Sequence, residues 1–307
     1  MKQLNITFNS LISNLGNTGG CRTIVRSAET LREMGHIVNI VCRKNRYNWT
    51  KIKVLNALPA KSDIMVAVSV LDIDSTRKAT AKKKVYWKRG HETWLMEERR
   101  ILEKCSRIKV ICNSEWQQAH LKKKGIDSKV CYSGLDYWRH TGSRKPNRIG
   151  CLYSDRPSKR WKQFRRLVLA LGLDYEYVCF GTKRAKNEFV YGQVTNPNRS
   201  ALERLYGSCQ FWFSPSVLEG QHQVALEAAA CGCHVVATGK PKGGTEDFVT
   251  NDTGFRYKKI AEAAEYIKTV SKETIDAKNG KMELLLNTKI RTREYCMTKF
   301  LEAIYDK

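Results

Sequence analysis

The chain has 307 residues, and its 55 Lys and Arg against 30 Asp and Glu give a formal net charge of +25, so a partner carrying negative charge is expected. Hydrophobic residues make up 42% and include 7 Trp, 13 Tyr and 9 Phe, enough apolar surface for about two domain cores, which excludes intrinsic disorder. No apolar run approaches the roughly 18 residues of a membrane span, and the N-terminus enters a strand pattern with no signal-peptide apolar region, so a cytoplasmic location is expected.

In chain order, Leu4-Asn5-Ile6-Thr7-Phe8 reads as a strand, followed by a loop with Asn14, Gly16, Thr18, Gly19 and Gly20. A helix-periodic stretch over about 21–34 is stopped by Gly35, and a strand follows at 37–42. Strand, Gly-rich loop, helix, Gly, strand is a βαβ unit, which needs a right-handed parallel crossover. Short β-branched runs at 64–70, 84–87 and 109–112 are of the kind buried on both faces of a parallel sheet. The polar, turn-rich stretch Thr141-Gly142-Ser143-Arg144-Lys145-Pro146-Asn147 marks a linker. The alternation then restarts: strand 148–153, helix 162–171, strand 175–180 with Gly181, helix 199–207, strand 210–214, a loop with Glu219, helix 223–230 and strand 234–238. The pattern predicts an α/β protein of two Rossmann-like, doubly wound domains facing a cleft, over residues 1–146 and 147–287, with a helix over 288–307 packing back on the first. In such folds ligands sit outside the carboxyl ends of the strands.

Eleven cysteines, odd in number and scattered through apolar runs, read as small core hydrophobes. Cys231-Gly232-Cys233 has no second pair at zinc spacing, and Asp72-Ile73-Asp74 reads as loop acid, so no metal or other cofactor is expected.

The densest constellation of chemistry runs from Ser214 to Gly232. Glu219 stands in the loop after a strand and Glu227 a turn or two into the next helix, whose start offers the backbone N–H groups of Gln221, His222 and Gln223 as a seat for phosphate. A carboxylate on either side of that seat suits the hydroxyls of a nucleotide-diphosphate sugar.

Here the sequence resembles the family 4 retaining glycosyltransferases of the GT-B fold. Their Glu-x7-Glu pattern, followed by Ala, Gly and a strand, corresponds to Glu219, Glu227, Ala228, Gly232 and His234-Val235-Val236-Ala237-Thr238. Their Gly-Gly-x-x-Glu turn resembles Gly243-Gly244-Thr245-Glu246, and Thr253-Gly254-Phe255 closes the motif. Gly19-Gly20, Asn113-Ser114-Glu115-Trp116 and Ser133-Gly134-Leu135-Asp136 follow in the family's order, and the resemblance spans roughly residues 4–260. It implies that Glu219 contacts the donor sugar and Glu227 the ribose, and that Arg156 and Lys159 neutralise the diphosphate, with Arg160 or Lys162 as substitutes. Gly19, Gly20 and Gly181 join the donor site by the same resemblance, as does His91, in a role open also to Glu92. At Gln221-His222 the chain departs from the family's aromatic residue and Gly, which puts a side chain where backbone usually approaches the ligand. The resemblance further implies a retaining, metal-independent hexosyl or pentosyl transfer by front-face attack.

Residues 1–146 hold 29 Lys and Arg against 12 acids (+17), and 147–307 hold 26 against 18 (+8). In the resemblance the first domain binds the acceptor, so an anionic acceptor is expected, with Lys88, Arg89, Glu92 and Trp94 as its contacts. Basic runs such as Lys82-Lys83-Lys84 and Lys122-Lys123-Lys124 interleave with Tyr47, Trp49, Tyr86, Trp87, Trp94 and Trp116, which suits phosphate backbones with stacked or flipped bases. Double-stranded DNA with a hydroxylated base, as modified by bacteriophage glycosyltransferases in a host cytoplasm, is the preferred acceptor. A lipid-linked or cell-envelope saccharide at an anionic membrane is the alternative. A non-catalytic nucleic-acid-binding protein on the same scaffold stays open as a different class.

Overall fold

The computed structural model describes residues 2–16, 18–46, 52–136, 144–185, 190–239 and 241–306. Its contacts divide the chain into unit 1, Met1–Gly134 with Arg291–Lys307, and unit 2, Leu135–Ile290. The composition-based linker at 141–147 falls partly at 141–143, outside the described residues.

Unit 1 alternates strands and helices: β1 Asn5–Asn9, α1 Gly19–Glu33, β2 Ile37–Val41, β3 Lys53–Leu55, β4 Ser62–Ala67, α2 Ile73–Lys78, β5 Ala81–Lys88, α3 Glu98–Cys105, β6 Lys109–Cys112, α4 Glu115–Lys122 and β7 Ser128–Val130. The strands form one parallel sheet in the order β3-β2-β1-β4-β5-β6-β7. The order steps outward from β1 in both directions, which puts a switch point between β1 and β4 and gathers the loops after them. Helix α1 begins two residues before its periodic stretch because the Thr18 side chain caps it, accepting from Cys21 N. It ends where Gly35 takes a φ of 93°. The expected strand over 64–70 is shorter, since Ser69 caps a 3-10 turn at Val70–Asp72.

Unit 2 contains β8 Lys145–Leu152, α5 Trp161–Leu171, β9 Glu176–Gly181, β10 Gly192–Thr195, α6 Arg199–Ser208, β11 Cys209–Ser214, α7 Gln223–Ala230, β12 His234–Thr238, β13 Phe255–Tyr257, α8 Ile260–Thr269 and α9 Lys272–Leu285. Its sheet is also parallel, in the order β10-β9-β8-β11-β12-β13. Phe164, Phe211, Phe213 and Val236 centre a core that α5 and α8 cover. Gly150 lets β8 pass Trp212, whose ring lies 2.4 Å from where a Cβ would stand.

The last helix, α10 Arg293–Tyr305, belongs to unit 1, as expected of a helix packing back on the first domain. Phe300 lies 5.2 Å from Trp87 between ring centroids, and Arg293 Nη1 donates to Ser133 O at 2.7 Å. Gly134 takes a φ of 70° and a Cβ there would meet Arg293 backbone at 2.4 Å, so this close approach requires glycine. The cysteines are free thiols, all buried except the half-buried Cys21.

Candidate functional site

Of the sequence-derived donor residues, Arg156, Lys159 and Arg160 follow β8, and Glu219, Gln221 and His222 follow β11, all in unit 2. After β8 the chain makes a 3-10 turn, Pro157–Lys159, and Arg160 takes a left-handed φ of 51° before α5 begins. This turn is tied to the loop after β11, because Val217 N donates to Ser158 O at 3.0 Å. That loop is in turn tied to the loop after β12: Glu219 N donates to Lys242 O at 3.1 Å, Lys242 N to Val217 O at 2.7 Å, and Gly244 N to Gly220 O at 2.6 Å. Three strand ends are thereby stitched into one backbone frame. Gly243, at φ 143°, lies so close to it that a Cβ would fall 1.8 Å from Glu219 O.

The frame brings Lys159, Glu219 and His222 together. Lys159 Nζ forms a short ion pair with Glu219 Oε1, and the two side chains are only 19% and 12% exposed. Burial pushes the Glu219 carboxyl up, but Lys159, His222 and a Ser216 hydrogen bond outweigh it and hold the pKa at about 2. Glu219 is therefore an anion at neutral pH. His222 is buried, and burial lowers its pKa to about 4 against the opposing pull of Glu219. Its Nε2, 3.6 Å from Glu219 Oε1, is thus not one half of an ion pair at neutral pH. The neutral ring bridges Ser214 Oγ at 3.0 Å and Thr245 Oγ1 at 2.7 Å. It also takes φ 61° at the N-cap of α7, a left-handed conformation that costs a non-glycine residue about 1 kcal/mol.

Of the other donor residues, Arg156 is exposed on the 157–160 turn beside Lys159 and Arg160. Gly181 ends β9 with no room for a Cβ, 2.7 Å from Tyr153 O. Gln221 is buried before α7, and Gln223 opens it. Glu227 is buried within α7 and accepts from Tyr206 OH of α6 at 3.2 Å. The sequence reading did not single out Ser214 or Thr245 as partners of His222, nor Ser216 as a partner of Glu219.

In unit 1, Gly19 and Gly20 begin α1, and Gly20 O accepts from Arg89 Nη1 at 2.5 Å while Arg89 Nη2 donates to Val68 O at 2.7 Å. Arg89 therefore pins the α1 start to the β4 end. Lys88 is buried, donating to Gly90 O at 2.9 Å. Glu92 is buried at φ 60° and accepts from Val70 N at 2.6 Å and Tyr86 OH at 2.9 Å, which places its charge at the start of the 70–72 turn. His91 lies 4.5 Å from the ring of Trp116, which stacks on His120 at 5.2 Å. Trp94 is 61% exposed. Tyr86 and Trp87, expected among the base-stacking aromatics, are fully buried in the core, and Tyr47 and Trp49 lie outside the described residues. Asp74 pairs with Lys104, while Asp72 is buried and accepts from Ile12 N at 2.7 Å.

Residues 165–273, roughly a third of the chain, match the family model described as Glycosyl transferases group 1. No curated protein matches the chain. Among solved structures it is similar to HepE of Anabaena, crystallised with UDP and glucose, with a TM-score of 0.78 at 13% identity over 99% of this chain and 100% of that one. A sucrose-phosphate synthase of Thermosynechococcus elongatus gives 0.76 at 14% identity, covering 98% of each chain. A glycosyltransferase of Rickettsia africae gives 0.71 at 16% identity over the full length of both. These likenesses establish the fold: two parallel-sheet, Rossmann-like domains of the GT-B kind.

Proposed function

We propose that this chain is a retaining glycosyltransferase that moves a hexosyl or pentosyl unit from a nucleotide-diphosphate sugar to an anionic acceptor, preferably a hydroxylated base in double-stranded DNA such as that of a bacteriophage. The observation that carries the transferase reading is the Lys159–Glu219–His222 constellation on the stitched strand ends of unit 2. An anionic carboxylate fixed beside an ammonium suits a sugar hydroxyl on one side and a leaving diphosphate on the other. In this reading Glu219 orients the donor sugar, Glu227 takes the ribose, and Lys159, Arg156 and Arg160 meet the charge that develops on the diphosphate. The nucleotides and sugars bound to similar structures, UDP and glucose among them, support a nucleotide-sugar donor.

The anionic acceptor rests on charge. Unit 1 holds 30 Lys and Arg against 14 acids, +16, whereas unit 2 holds 25 against 16, +9. One observation favours the membrane alternative: Trp94 and Leu95 are adjacent, 61% and 41% exposed, as side chains inserting at a lipid interface would be. Among the described residues no helix is long and apolar enough to cross a membrane. The reading needs no metal, and transfer is expected to persist in excess EDTA.

The test is incubation with a panel of radiolabelled nucleotide sugars, offered hydroxymethylated duplex DNA or anionic vesicles bearing a lipid-linked saccharide. Labelled DNA is the expected result. Label confined to vesicles overturns the DNA acceptor, and the absence of transfer, donor hydrolysis and donor-induced thermal shift returns the chain to the non-catalytic class.

A further inference from the structure

Unit 1 carries a groove at the end of its sheet opposite the His91 and Trp94 loop. Its cavity of about 450 Å³ lies where β5, β6 and β7 begin, against the end of α10, and five lysines line it: Lys82, Lys83, Lys84, Lys109 and Lys129. Register sorts them. Val85 stands beside Lys109, and Ile111 beside Lys129, so by strand alternation Lys83, Lys109 and Lys129 project from one face, across roughly 10 Å of three adjacent strands. Lys82 and Lys84 belong to the other face, where Lys82 pairs with Asp63 at 2.7 Å and Lys84 donates to Arg77 O at 2.8 Å.

Each is offset two residues from the next, since Val85 rather than Lys83 stands beside Lys109 and Ile111 rather than Lys109 beside Lys129, so the three form a diagonal row of positive charge that an extended anion could follow. The protein supplies little counter-charge. Asp127 and Asp306 also line the groove, yet among the described residues none of Lys83, Lys109 and Lys129 forms an ion pair with a carboxylate. Lys109 Nζ donates to the backbone oxygens of Asp306 and, at 3.4 Å, of Ile304, while Lys83 Nζ lies 5.5 Å from the Tyr305 ring. Burial first, and then the charges of Lys83 and Lys129, lower the Lys109 pKa against the opposing pull of Asp306 and Asp127.

We propose that this lysine groove is a second anion-binding surface, which anchors the phosphate backbone of double-stranded DNA at the far end of the unit 1 sheet. The proposal rests on the DNA-acceptor reading above and adds to it that the acceptor is held as a polymer. Strand β5 separates the groove from the His91 loop by roughly 20 Å, so no monomeric acceptor reaches both. Lysines, mobile point charges, suit contacts that follow a backbone without reading bases. A bilayer fits less well, because the site is concave and its aliphatic residues, Val85, Val110 and Ile304, are all buried.

The experiment compares wild type, K83Q/K129Q and K83R/K129R for binding to a fluorescein-labelled DNA duplex about two helical turns long and to equimolar phosphatidylcholine–phosphatidylglycerol vesicles. Donor hydrolysis and melting are followed in parallel. Lys109 is left in place because it holds the end of α10. Expected for K83Q/K129Q is roughly tenfold weaker duplex binding, and a slope of log affinity against log salt between about 50 and 200 mM that is shallower by about 2. The Arg variant restores both, and hydrolysis and melting stay unchanged. Wild-type duplex binding that K83Q/K129Q retains in full overturns the groove and leaves the DNA acceptor standing. No duplex binding by wild type overturns both, and a loss confined to vesicles makes the groove a membrane contact.

Discussion

Glu219 meets Lys159 in a setting almost closed to water, where removing one partner leaves the other a poorly solvated charge. Glu219→Ala is expected to lower transfer by more than about 100-fold, as loss of a preorganised charge does, with cooperative melting retained; wild-type turnover in that variant refutes its role. Glu227→Ala is expected to act on donor affinity, so an unchanged affinity by calorimetry counts against the ribose contact. Because the folded pKa of Glu219, about 2, lies below the ordinary carboxylate range, its stabilising contribution is complete above pH 4.5 and is lost as pH falls towards 2. His222 offers a sharper comparison. Ala at this position keeps the left-handed strain and loses the Ser214 and Thr245 bonds, whereas Gly loses the bonds and relieves the strain. His222→Gly is therefore expected to be more stable than His222→Ala by about 1 kcal/mol in urea unfolding, with both impaired in transfer. The motif spacing made Glu219, Glu227 and the departure at 222 legible. It did not reveal that the side chain at 222 turns inward to bridge Ser214 and Thr245, because such a bond depends on loops distant in sequence meeting in space.

At the scale of elements, the long parallel strands were legible from their β-branched runs, while β3, β7, β10 and β13 were not. Each of these has three or four residues, and β3, β7, β10 and β13 include both edges of both sheets, so their pairing is set by the neighbouring strand more than by their own sequence. Glycines divide in the same manner. Gly19 has open space where a Cβ would stand, and Gly243 has the Glu219 carbonyl. Gly19→Ala is expected to leave melting unchanged, so any loss of its activity reports close ligand approach at the α1 start. Gly243→Ala is expected to displace the Glu219 loop, abolishing donor-induced thermal stabilisation; a donor response like wild type shows that the frame is not needed. Glu92 was legible as an acid in the loop after β5 but not as the partner of Val70 N and Tyr86, since a residue that turns back on the strand before it leaves no mark in periodicity.

For the whole molecule, pH dependence follows from groups on different units. In unit 2 burial lowers the pKa of both His222 and His234 to about 4, and His234 is held between Asn279 and Tyr266. The unfolded chain takes up these protons first as pH falls below 6.5, so each histidine costs up to about 3 kcal/mol by pH 4. Asp72 in unit 1 has the opposite sign: burial raises its pKa to about 6, so its contribution grows as pH falls through 6 and is lost as pH rises. Burial also lowers the His36 pKa in unit 1, which works against Asp72. Calorimetry between pH 7 and 4.5 is expected to show unit 2 losing roughly 10 °C of melting temperature, and His234→Gln is expected to remove part of that fall. A pH-independent unit 2 transition refutes the assignment. The +25 charge and its concentration in the first part of the chain were legible in the sequence; what needed the fold is that Arg291–Lys307 joins unit 1 from the far end of the chain. That return has a consequence for synthesis. Every residue of unit 2 leaves the ribosome before α10 does, so the enclosed unit can fold while the enclosing one still lacks the helix that covers Trp87. The segment that begins first is completed last, and until then a nascent chain carries an exposed aromatic surface that a chaperone can hold.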